Sequence, residues 1–196
     1  MKKLLITGFD PFGGDSINPA REAVMRLPAR IGDWEVIPME VPTVFGLAAK
    51  RVLDQAKEIR PDAIICIGQA GGRSAITPEV IGINLREAPI PDNAGNRPEN
   101  CPVVEGGPAA YFATLPVRKM VEAIKATGIP AALSYSAGAF VCNDLLYTLL
   151  HAYRDTSVQV GFIHIPYLPE QAREGIPSLP LDTVVTALTE AIRVLD

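Results

Sequence analysis

The run Ala63-Ile-Ile-Cys-Ile67 is apolar at every position. Side chains of a strand point alternately to its two faces, so a run with no polar position meets apolar packing on both. That is the setting of a central parallel strand, and a parallel sheet needs helices over both faces. The rest of the chain supplies them, because short strand-like runs alternate with apolar residues at helical spacing.

Lys3–Gly8 reads as the first strand. Asn18-Pro19 opens a helix to Arg26, with proline in its favoured place at a helix start. Glu35–Val41 is a strand, and Thr43 begins a helix to about Ile59, with Ala48, Val52, Ala56 and Ile59 on one stripe. Val80–Leu85 is a further strand to which an antiparallel setting is open. Leu115–Thr127 is a helix ended by Gly128. Ala131–Ser136 is a strand, followed by a helix opening at Cys142, a strand Val158–Ile165, and a last helix within Ser178–Leu195. The pattern specifies an α/β fold, a three-layer α/β/α sandwich on a mostly parallel mixed sheet. The 196 residues fit one domain, 1–196, able to bury about 70% of the unfolded chain's surface.

In such a sheet the strand ends and helix starts share one rim, where ligands bind. Cys142 lies at a helix start and His164 at a strand end, so a thiol and an imidazole face the same crevice. A helix N-terminus favours thiolate, and an imidazole can carry the proton. The alternatives are a small buried hydrophobe for Cys142 and a backbone-bonded core histidine for His164. The chain has only two histidines. His151 follows Cys142 on the same helix, half a rotation away and ~13 Å along the axis, which makes it a surface residue and leaves His164 as the base. An orienting acid completes such a pair. Glu79 follows the rim loop 68–78, but spacing alone does not choose it over Asp10 or Asp92.

Five segments together resemble the pyroglutamyl peptidase I family of cysteine peptidases. They are Thr7-Gly-Phe-Asp-Pro-Phe-Gly-Gly14, Gly68-Gln-Ala-Gly-Gly-Arg73 with Glu79 beyond it, Ile90-Pro-Asp-Asn93, Ser136-Ala-Gly-Ala-Phe-Val-Cys-Asn143, and Gly161-Phe-Ile-His-Ile-Pro166 with Leu168-Pro-Glu-Gln171. The resemblance implies a triad of Cys142, His164 and Glu79 that removes an N-terminal pyroglutamyl residue from peptides. It implies a lactam pocket of Phe9, Phe12, Gln69 and the backbone of Val141, no cofactor, and a homotetramer. Core packing is the other reading of Phe9 and Phe12. One position departs from the pattern. The family usually has Arg before Ile-Pro-Asp-Asn, and here Pro89 stands there, with Arg86 and Arg73 as the remaining sources of positive charge.

A net charge of −4 and a pI near 5.3 argue against a nucleic-acid surface. The three cysteines make no disulfide framework, and no Cys-x-x-Cys or His-x-x-x-His spacing suggests a metal. Cys66 reads as core and Cys101 as exposed. The apolar stretch after Lys3 stops at Thr7, short of the ~7–15 residues of a signal core, and no run nears the ~18 of a membrane span. The expectation is a soluble cytoplasmic chain. The long Pro/Gly-rich stretch Arg86–Gly107 reads as a loop that covers the pocket or meets another subunit. A rival reading rests on Gly8-Phe-Asp-Pro-Phe-Gly13, which copies the glycine spacing of a phosphate loop. Gly14 stands in the lysine position and Pro11 removes a cradle N–H. A phosphate- or nucleoside-binding protein of phosphorylase-like architecture would have no need of Cys142.

Overall fold

The apolar run at 63–67 lies in the interior of a six-stranded sheet. The computed structural model describes residues 1–195. In chain order the elements are β1 (Lys2–Phe9), α1 (Pro19–Met25), β2 (Arg30–Ile31), β3 (Trp34–Val41), α2 (Leu47–Ile59), β4 (Ala63–Gln69), β5 (Thr77–Pro78), β6 (Ile81–Ile83), β7 (Ala110–Phe112), α3 (Val117–Ala126), α4 (Val141–Tyr153), β8 (Gln159–Ile165) and α5 (Leu181–Arg193). The sheet runs β2-β3-β1-β4-β8-β5. Strands β3, β1, β4 and β8 are parallel, and β2 and β5 are antiparallel edges.

Alternation along each strand builds the two cores. Leu4, Ile6, Ile65, Ile67 and Ile163 pack with Val24, Ile124 and Leu188 under α1, α3 and α5. Leu5, Phe9, Ile64, Cys66 and Phe162 pack with Val52, Leu145 and Leu149 under α2 and α4. The result is the expected α/β/α layering. Helix α1 starts where Asn18 Oδ1 accepts from the Ala20 N–H at 3.0 Å, a side-chain cap on an otherwise unpaired donor.

Three sequence expectations change. The α2 helix begins at Leu47 instead of Thr43, because Asp10 Oδ1 holds the Thr43 N–H (2.7 Å) and hydroxyl (2.8 Å) outside the helix. Gly46 then turns the chain at φ +69°. The strand at Val80–Leu85 narrows to β6, which pairs antiparallel with β7 in a separate two-stranded sheet. The segment Ala131–Ser136 is no continuous strand; it touches the sheet edge at two isolated parallel bridges, Ile76 with Ala131 and Glu79 with Ser134. The physical reason is Pro78. Ile76 N donates to Pro130 O, Ala132 N to Ile76 O, Ser134 N to Pro78 O and Val80 N to Ser134 O. The missing rung is the N–H that a proline at 78 lacks.

The stretch 86–107 is an ordered loop tied down by backbone and side-chain bonds, among them Glu87 N to Ala139 O and Asn93 N to Thr43 O. Arg86 and Cys101 form an antiparallel bridge. Asp92 accepts from the N–H of Ala94 (2.9 Å), Asn96 (2.8 Å) and Phe45 (2.9 Å). Cys66 is fully buried and Cys101 exposed, as read from sequence. Among the described residues no helix is long and apolar enough to cross a membrane.

Candidate active site

The period of two along β8 sets Phe162 and His164 on the face that α4 covers. His164 registers with Gly68 of β4. A methyl group on Gly68 would stand 3.1 Å from Cys142 Sγ and 2.7 Å from Phe162 Cζ. The glycine therefore lets the start of α4 settle onto the sheet, with the sulfur over β4 and the imidazole on the neighbouring strand.

His164 Nδ1 lies 2.7 Å from Glu79 Oε1. Glu79 is fully buried and is held by its own backbone, whose N–H donates to Phe162 O at 2.9 Å. The other two carboxylates of the sequence reading are committed elsewhere, Asp10 to Thr43 and Asp92 to its own turn. The two arginines left open also separate. Arg86 Nε lies 2.6 Å from Asp144 Oδ1, away from this pair. Arg73 Nη1 donates to the same Glu79 oxygen at 2.9 Å and to Thr77 Oγ1 at 2.6 Å, and its Nη2 reaches Ser136 O at 3.1 Å. His151 sits apart, bonded through Nδ1 to the Tyr111 hydroxyl at 2.8 Å.

Beside the sulfur is a cavity of about 210 Å³, lined by Phe9, Phe12, Phe140, Gln69 and Tyr167 among others. Phe9 serves both readings: it is 2% exposed and packs 6.3 Å from Phe162, yet it reaches the cavity wall. Phe12 lies 5.3 Å from Phe140, which meets Phe45 edge-on at 5.1 Å. The Val141 side chain is buried in the core. Its backbone N–H, at the first position of α4, has no intrahelical acceptor. A wider cleft of about 540 Å³ shares Phe12, Gln69 and Tyr167 and has Ile90 of the long loop on its wall. Phe140, Tyr167 and the grip of Arg73 on Glu79 escaped the sequence reading. An aromatic directly before the Cys142 helix and another in Pro166-Tyr-Leu-Pro169 were the available signals.

A model of the pyroglutamyl peptidase family matches residues 2–196. The chain belongs to the pyroglutamyl peptidase family. The pyrrolidone-carboxylate peptidase of Levilactobacillus brevis is 53% identical, over 98% of this chain and 97% of that protein. The crystal structure of Bacillus amyloliquefaciens pyroglutamyl peptidase I superposes with a TM-score of 0.96 at 50% identity, covering 100% of this chain and 97% of that one. The pyrrolidone carboxyl peptidase of Thermococcus litoralis gives 0.95 at 38% identity, covering 100% and 93%.

In this member of the pyroglutamyl peptidase family the resting proton positions follow from burial. Burial, followed by the charge of Glu79, pushes the Cys142 thiol up to about 12, with Arg73 acting against it. Desolvation thus outweighs the pull toward thiolate that a helix N-terminus exerts. Burial also lowers His164, against the hydrogen bond and charge of Glu79. For Glu79 burial acts upward, but His164, Ser134 and Arg73 together hold the carboxyl below its ordinary range. These directions together favour a protonated thiol and a neutral imidazole beside an ionised Glu79. Among the described residues no three His, Cys, Asp or Glu side chains group as metal ligands.

Proposed function

We propose that this chain is a pyroglutamyl peptidase I working through Cys142 as nucleophile, His164 as acid–base and Glu79 as the orienting acid. The observation that carries the reading is the 2.7 Å contact of His164 with buried Glu79 on the face where Cys142 borders an aromatic cavity. Glu79 bonded to Nδ1 leaves Nε2 free for the thiol proton. The imidazole takes that proton as sulfur adds to the scissile carbonyl. The Cys142 N–H, among the unpaired amides of the first turn of α4, stabilises the oxyanion. Collapse breaks the C–N bond, and the imidazolium proton goes to the leaving amine. Water, deprotonated by the same imidazole, then hydrolyses the thioester and releases pyroglutamate.

The pocket chemistry fits a flat neutral lactam. Phe9, Phe12 and Phe140 offer apolar surface, and Gln69 with the Val141 backbone offers polar contacts. A free α-ammonium would lose its hydration there without a partner. The rival phosphate reading meets a carboxylate, Asp10, in the loop that would have to cradle the anion. We further place the whole of 1–196 in one catalytic domain, since one sheet carries both cores. Three unpaired cysteines suit a reducing, cytoplasmic setting. Phe112 and Tyr135, 71% and 64% exposed, suit a homotetramer in which subunits cover them.

Turnover of a chromogenic pyroglutamyl amide by the parent protein and by Cys142→Ala tests the reading. Loss of about 10⁴-fold or more is expected for Cys142→Ala, with most activity kept by Cys66→Ala and Cys101→Ala. An active Cys142→Ala protein would end the thiol mechanism.

A further inference from the structure

Gln171 stands outside the proposed catalytic group, yet its amide has only one workable orientation. The Leu168 N–H, which can only donate, points at Gln171 Oε1 at 3.3 Å. Around Nε2 lie three oxygens: Ile17 O at 3.2 Å, Asp15 Oδ2 at 3.3 Å and Gln69 Oε1 at 3.4 Å. A backbone carbonyl and a carboxylate can only accept. Turning the Gln171 amide over would set oxygen against oxygen at both and nitrogen against nitrogen at Leu168. The group that faces Gln69 is therefore a donor.

That fixes the second amide in turn. The two hydrogens of the Gln171 –NH₂ are shared among three acceptors and the Gln69 contact is the longest, but a turned Gln69 would set –NH₂ against –NH₂; Oε1 therefore faces Gln171, and the Gln69 –NH₂ is the end left for the cavity that it lines. We infer that Gln171 sets the hydrogen-bonding polarity of the lactam pocket, holding Gln69 so that it offers a donor to the ring carbonyl of the substrate. Gln171 is a positioning residue that touches no reacting atom, and the inference rests on the pyroglutamyl peptidase reading above. The chemical consequence is selectivity for a five-membered ring bearing a carbonyl over one without it. Proline has the same ring size and no such oxygen, so it leaves the Gln69 donor unpaired.

Gln171→Met removes the donor without adding a charge, and it is read beside Gln171→Glu, which keeps the shape and the acceptor for Leu168 but sets oxygen against Ile17 O and Asp15 Oδ2. Its carboxylate cannot donate, so Gln69 turns its –NH₂ toward position 171 and shows the pocket an oxygen. The readout is the ratio of kcat/KM for pyroglutamyl and prolyl amides of the same leaving group, measured at about pH 8.5, where a carboxyl is ionised. The parent is expected to favour the pyroglutamyl amide strongly. Gln171→Glu should cut that ratio by about tenfold or more, the effect of a mismatched buried hydrogen bond. Inhibition by 2-pyrrolidone should weaken in parallel. Gln171→Met, which frees Gln69 to adopt either orientation, should show a smaller loss in the same direction, and it decides the matter if the glutamate variant does not fold. An unchanged ratio in a folded variant overturns the inference. A parent protein that does not prefer the pyroglutamyl amide overturns instead the function on which it rests.

Discussion

Gly68→Ala puts the link between sheet packing and chemistry to its sharpest test. The added methyl would lie 2.7 and 2.8 Å from two ring carbons of Phe162 and 3.1 Å from Cys142 Sγ. Ordinary carbon contacts begin near ~3.5 Å, so the ring has to give by roughly 0.8 Å and the sulfur by about half of that. Phe162 has no free space to move into: it is fully buried, with Phe9 at 6.3 Å and His164 at 4.7 Å. The strain therefore passes to the imidazole and the thiol. Overpacking of this kind destabilises by about 1–3 kcal/mol. Misplacement of reacting groups approaching 1 Å slows a reaction by about 10²-fold, so a loss in kcat between about ten- and a hundredfold is expected, with KM little changed. The assay pairs steady-state kinetics on a pyroglutamyl amide with a urea midpoint and the rate of thiol alkylation. Gly32→Ala is the control. It strains a turn at φ +58° with nothing within 4 Å, so it should cost about 1 kcal/mol and leave kcat alone. A Gly68→Ala protein that loses stability but keeps the parent kcat refutes the argument.

Glu79→Gln should lower kcat and move the acid limb of the pH–rate profile to lower pH, because Glu79 raises His164 against burial; a larger effect from Asp10→Asn or Asp92→Asn would reassign the acid. Stability should fall in acid in two steps. His164 is held below its ordinary 6.5 and Glu79 below its ordinary 4.5, so the unfolded chain binds more protons in each window. Glu79→Gln should shrink the lower step, to which the lowered Asp92 also contributes, and urea midpoints across pH read it. Arg86→Ala leaves the fully buried Asp144 carboxylate with only the Gly46 N–H at 2.8 Å. Because Arg86 is itself partly exposed, the loss is set at the low end for a broken buried pair, about 3 kcal/mol, read by denaturation; a loss below about 1 kcal/mol would show that the pair is replaced by water.

The parts of the molecule that were legible in sequence are those whose physics is local. β4 is apolar throughout Ala63–Ile67, β8 is a mainly apolar run ending before Pro166, and Asn18-Pro19 is a cap with proline behind it. His164 followed from the rotation of a single helix. The contacts that complete the site join residues far apart in sequence, and no periodicity encodes them. Glu79 could not be separated from Asp10 and Asp92 until β5 lay beside β8. Arg73 and Arg86 could be assigned only when Asp144 was seen buried under one of them. The strand expected at 131–136 failed through a residue outside it, since Pro78 of the partner withholds the rung. Cys142 lies in the first turn of α4, as read from sequence, but the upward push on its thiol was not legible, because burial depends on the whole layer of α4.

The interrupted ladder at Pro78 has a consequence for how activity is lost on heating. Glu79 is clamped between β8 on one side and the segment 130–134 on the other, and the second clamp is an outermost, broken pairing held by four backbone bonds. Outer segments with few bonds open with less free energy than the centre of a sheet. Such an opening releases the carboxylate while β1, β4 and β8 stay paired. Inactivation should therefore precede the global melt, and the amides of Ala132 and Ser134 should exchange with solvent deuterium ahead of those of Ile65 and Phe162.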